Sequence, residues 1–158
     1  MFGISPLGWL HTLGSLPALP LALVMLYRHG RIDPRSALGK AYGGFMVLGA
    51  VTVYPIAHAP VSLVIATLTI GVLALGFSAR HLRVLGRARP YVETVALSLS
   101  VLLLLLPTAT ETLRRVPDGH PLVTDLASPL LRGVHLALLA GFAVGLVIQI
   151  RALRRRAT

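Results

Sequence analysis

The chain has 158 residues, among them six histidines and no cysteine, so coordination chemistry here falls to imidazole. Two of the histidines lie inside long apolar runs, His11 in Leu7–Tyr27 and His135 in Pro129–Ile150. A neutral imidazole nitrogen suits iron, copper and zinc. One histidine from each of two helices is what a bis-histidine b-type haem requires. Arg132, three residues before His135 and on nearly the same helical face, is spaced to pair with a haem propionate. Glu111 and His120 belong to the segment just before the last apolar run, and with His11 and His135 they would make a metal set instead. The lack of cysteine excludes thiolate ligands, iron–sulfur clusters and covalently attached c-type haem. The competing reading is that a histidine near a membrane interface turns its ring to water or a neighbouring carbonyl and binds nothing.

These residues must be positioned by membrane helices. Hydrophobic residues make up 55% of the chain and charged residues 13%, against about 25% charged in a soluble domain. Leu7–Tyr27 contains no Lys, Arg, Asp or Glu, and at ~1.5 Å per residue it is long enough to cross a ~30 Å hydrocarbon layer. Four further runs follow: Ala41–Ile56, Val61–Ser78, Tyr91–Thr110 and Pro129–Ile150. The expected fold is therefore all-α, a polytopic bundle of five transmembrane helices forming one integral membrane domain over residues 1–158. The second and third runs are short for spans, and a re-entrant pair is the alternative to a helical hairpin closed at His58–Pro60. A cleaved signal peptide fits the first run poorly, because MFGISP carries no positive charge and no small-residue cleavage site follows the run.

Charge placement predicts the topology. Twelve of the fifteen basic residues fall in three segments: Arg28, Arg31, Arg35 and Lys40; Arg80, Arg83, Arg87 and Arg89; and Arg151, Arg154, Arg155 and Arg156. Five crossings put all three on one side. The positive-inside rule makes that side cytoplasmic and the N-terminus external, as expected for a multi-pass protein of the cell inner membrane. The net charge of +10 then faces anionic headgroups rather than nucleic acid. With this sidedness His29 and His81 are cytoplasmic, whereas His11, His58, His120 and His135 are external. His11 and His135 fall at similar depth, roughly 7–9 Å below the outer boundary.

Small residues predict the packing faces. Gly133, Ala137, Gly141 and Gly145 form a ridge on the last run; Gly39 and Gly43 begin a GxxxG on the second; His11, Gly14, Ser15, Ala18, Ala22 and Met25 share one face of the first. The expectation is that such ridges pack inside the protein, with a homodimer or another membrane-complex partner as the alternative. His135 lies opposite its own ridge, so an inward ridge would turn it to lipid, while Gln149 on the His135 face suggests that this face is covered. Pro17, Pro20 and Pro107 are expected to bend their helices. Glu93 is expected to pair with Arg89 or Arg87, and Glu111 with Arg114 or Arg115. The longest connection, Glu111–Pro129, contains the turn signal PDGHP. No nucleophile elbow, phosphate loop, HExxH or zinc-type spacing occurs, so no catalytic residue is assigned.

The His11–Gly14 pair opening the first span, the basic loop after it, Gly39 and Tyr42 at the next helix start, and the PTATETLRRVP segment (Pro107–Pro117) resemble small bacterial multi-span inner-membrane proteins without a characterised activity. The resemblance implies topology and compartment, not chemistry. The sequence thus leaves two functional expectations. One is a membrane protein with a haem b or transition-metal site near the outer face, redox-related, built on His11 and His135. The other is a non-enzymatic scaffold or accessory subunit of a membrane complex.

Overall fold

The computed structural model describes residues 5–57 and 59–157, the last two by backbone alone, and these are all-α with no strand. The helices are α1 (Pro6–Ser15), α2 (Ala18–His29), α3 (Ala37–Val53), α4 (Pro60–Ser78), α5 (Arg89–Arg115) and α6 (Pro129–Ala157), with a short 3₁₀ turn at Arg83–Ala88. α1 and α2 together, α4, α5 and α6 give four helices long and apolar enough to cross a membrane; α3, at 17 residues, is shorter.

Local sequence explains the ends. The Ser5 hydroxyl accepts from the Gly8 N–H and the Ser36 hydroxyl from the Gly39 N–H, satisfying donors left open at a helix start. α2 stops at Gly30, whose φ of 68° is the left-handed conformation that closes a helix cheaply only for glycine. The α1–α2 break falls at Leu16–Pro17, because Pro17 and Pro20 both lack a donor. Leu19 N–H bonds the Leu16 carbonyl in the i+3 pattern, filling the acceptor that Pro20 leaves. Pro107 does not have the same effect. α5 runs as one helix from Arg89 to Arg115, as membrane helices often do when their neighbours hold them.

α5 is the central element. It packs against α4 and α6 and touches α2, while α3 packs on α1, α2 and α4. The core joins Ala18, Ala22 and Met25 of the first span to Tyr42 and Met46 of α3, Leu73 of α4, and Leu97 and Val101 of α5. α3 uses its small residues internally: a Cβ on Gly43 would strike the Phe77 ring and one on Gly49 would strike Ser15. The α6 ridge reverses the expectation of internal packing. Nothing lies within 4 Å of a Cβ built on Gly133, Gly141 or Gly145, so the ridge faces away from the bundle. The opposite face of α6 meets α5, as Gln149 and His135 demonstrate below.

The bundle has two chemically different ends. At one, α1 meets the end of α3, and the end of α5 meets the start of α6. At the other, the segments after α2 and α4 and the last turns of α6 come together.

Candidate functional site

At the first end His11 and His135 are each tied to a threonine. His11 Nδ1 lies 2.9 Å from Thr52 Oγ1 of α3. That hydroxyl also donates back to the Leu48 carbonyl at 2.7 Å, a common use of threonine in a helix. Its one hydrogen being spent there, the oxygen accepts from the ring, and in the neutral imidazole Nε2 holds the lone pair. α6 repeats the device. His135 Nε2 lies 2.9 Å from Thr110 Oγ1 of α5, and Thr110 donates to the Leu106 carbonyl at 2.9 Å; the neutral ring then carries its lone pair on Nδ1.

The rings do not share a partner. α1 docks on α3 and α6 on α5, so each ring is anchored to a different neighbour. Among the described residues no three His, Asp or Glu side chains gather where one ion could bind, so the set of His11, His135, His120 and Glu111 is not assembled. The sequence pattern brought these four to one end of the protein but could not supply convergence, which depends on how each helix is rotated. Arg132 is exposed on the first turn of α6. Glu111 is engaged by Arg115, Nε to Oε2 2.6 Å, one helical turn away as its spacing predicts. The turn at PDGHP forms around Gly119, φ 81°, and Glu111, Arg114, Arg115, Asp118, Gly119 and Pro121 line an open, polar cavity of about 250 Å³. His58 lies outside the described residues.

The opposite end holds the buried polar cluster that sequence reasoning missed. Glu93 is 2% exposed and pairs with neither Arg87 nor Arg89. Its Oε2 accepts from Arg80 Nε at 2.7 Å, and its Oε1 lies 3.9 Å from Arg31 Nη1. Arg89 is instead occupied by the carbonyls of Leu82 and Arg83, because Gly86, at φ 48° and ψ −122°, folds the 3₁₀ turn back toward α5. One turn deeper, Ser98 donates to Gln149 Oε1 at 2.7 Å and Gln149 Nε2 donates to the Gly30 carbonyl at 2.9 Å. One side chain thus ties α5, α6 and the end of α2 together. Farther in, Ser100 donates to the Leu97 carbonyl, leaving its oxygen to accept from the Tyr42 hydroxyl at 2.7 Å. Thr94 Oγ1, buried beside Glu93, has no hydrogen-bond partner among the described residues. The signal for this cluster was Glu93 itself, an ionisable residue inside an apolar run; its partners, 13 and 62 residues away, are set by tertiary structure.

Comparison with protein-family models, characterised proteins and solved structures gives no match. Between the clusters α5 is apolar from Val101 to Pro107.

Proposed function

We propose that this is a non-enzymatic integral membrane protein of the inner membrane, an accessory or scaffold subunit that presents α6 to a membrane partner. The observation that carries the reading is the outward ridge: Gly133, Ala137 and Gly141 repeat every four residues on an open face, the spacing that lets two membrane helices approach closely. A second copy is the simplest occupant, since α6 against α6 is self-complementary. The proposal includes five crossings, N-terminus outside and C-terminus cytoplasmic, supported by the gathering of the three basic segments at one end of the bundle. The chain has no cysteine, so one can be introduced cleanly. Ala137→Cys on the ridge should form a disulfide-linked dimer in native membranes and Leu136→Cys, exposed but off the ridge, should not. Equal cross-linking at both positions, or none at Ala137, would remove the reading.

A second reading is a haem b or transition-metal site on His11 and His135. It is favoured by the threonine contacts, because metal-ligating histidines commonly donate their other ring N–H to a fixed acceptor. Protein purified in mild detergent should then show a Soret band, or bound iron, copper or zinc, lost in His11→Ala and His135→Ala. A colourless, metal-free preparation rejects it.

A further inference from the structure

Arg31 and Arg80 flank one carboxylate, so the cluster carries a surplus positive charge. Asp33 does not cancel it, because Arg35 brings a further positive charge beside Asp33, its N–H 3.1 Å and its guanidinium 3.6 Å from Oδ1. Among the described residues, the Arg31 side chain, 20% exposed, makes no hydrogen bond, and Arg80, 35% exposed, uses Nε alone. Most of the ten N–H donors on the two guanidiniums are therefore unpaired within the described residues, and Glu93 holds both groups from the buried side. The surroundings are not those of a water-facing site. Tyr27, 92% exposed, and Val84, 90% exposed, lie on the segments carrying Arg31 and Arg80, and an outward aromatic beside arginines at a helix end is typical of the headgroup boundary.

We propose that Arg31 and Arg80 form a specific site for the phosphate of an anionic phospholipid, with Glu93 as the internal counter-charge that orients both guanidiniums. Arginine forks match phosphate oxygens, and basic pockets between helices at the cytoplasmic side take lipid headgroups. The inference depends on the membrane-spanning part of the proposed function and not on the α6 partner or on the histidines.

The test is native mass spectrometry of the full chain released from micelles containing equal phosphatidylglycerol and phosphatidylcholine. Wild type should retain phosphatidylglycerol preferentially. Arg31→Gln and Arg80→Gln should each reduce that preference about fivefold, while Arg154→Gln, on the basic tail, should leave it unchanged. If Arg31→Gln or Arg80→Gln fails to fold because Glu93 is left underpaired, the triple variant Arg31→Gln/Arg80→Gln/Glu93→Gln removes all three charges and should fold without discriminating between the lipids. No preference in wild type, or an equal loss in Arg154→Gln, overturns the site in favour of diffuse attraction. Displacement of the lipid by inorganic phosphate alone would make the ligand a solution anion and overturn the lipid assignment. Carbonate extraction separates the levels: a chain that leaves the membrane refutes the membrane reading, and one that stays but shows no lipid preference refutes only this site.

Discussion

At the scale of single residues, Glu93 and its arginines show how unequal the two halves of an ion pair are. The carboxylate is buried and short; the guanidiniums sit on long stems and can extend outward. Removing Arg80 strands the charge on Glu93, with only the 3.9 Å contact to Arg31 remaining, whereas removing Glu93 frees two arginines that can move outward. Arg80→Gln should therefore destabilise by about 3 kcal/mol, near the range for breaking a buried pair, and Glu93→Gln by clearly less; thermal unfolding in detergent measures the difference. Asp33 offers a pH-dependent contribution outside the spans. Partial burial, the largest single influence, pushes its carboxyl up, but the Arg35 N–H and the charges of Arg35 and Arg31 together outweigh it and hold the group below its ordinary 3.8. A depressed carboxyl contributes stability above its unfolded value and loses it as pH falls through the folded value. Wild type should thus lose a small increment, under about 1 kcal/mol for so exposed a pair, as pH drops below 3.8. Asp33→Asn should lack that increment at neutral pH and show a correspondingly flatter profile.

At the scale of the element, the same residue type does opposite work on α3 and α6. A Cβ on Gly39 would collide with the Asp33 carbonyl, a backbone atom that cannot swing aside. Gly39→Ala should therefore cost about 3 kcal/mol, the upper range for overpacking, and show as a lower unfolding temperature. A Cβ on Gly141 meets nothing within 4 Å among the described residues, so Gly141→Leu extends into open space. It should leave the unfolding temperature of the monomer unchanged while weakening α6 association in the same membranes. The spacing of the glycines does not separate the two helices; only the rotation of each helix in the bundle does. His135 follows the same logic. Its place opposite a ridge expected to pack inward argued for lipid, only Gln149 pointed to the covered face, and the acceptor Thr110 was invisible without the packing of α6 on α5.

At the scale of the whole molecule, three basic segments far apart in sequence meet at one end of the bundle, joined by Arg31–Glu93–Arg80 and by Gln149 to Gly30. A cysteine at Thr124, in the exposed loop before α6, should react with a membrane-impermeant maleimide in intact cells. A cysteine at Ala88, between the basic 3₁₀ turn and α5, should react only after the membrane is opened. The reverse pattern would invert the topology.

The apolar runs, their approximate limits and the clustering of arginine were legible from sequence because each is a local property: an 18-residue apolar stretch has few solutions other than a helix in a membrane. The i,i+4 pair Glu111–Arg115 was legible for the same reason. What only the tertiary structure decided is everything that depends on helix rotation and long-range approach. It chose Arg80 and Arg31 over the arginines nearest Glu93, gave the two histidines separate threonine partners, and turned the small ridge of α6 outward. In each case residues tens of positions apart compete for the same buried polar group or the same packing surface, and sequence spacing carries no record of which one wins.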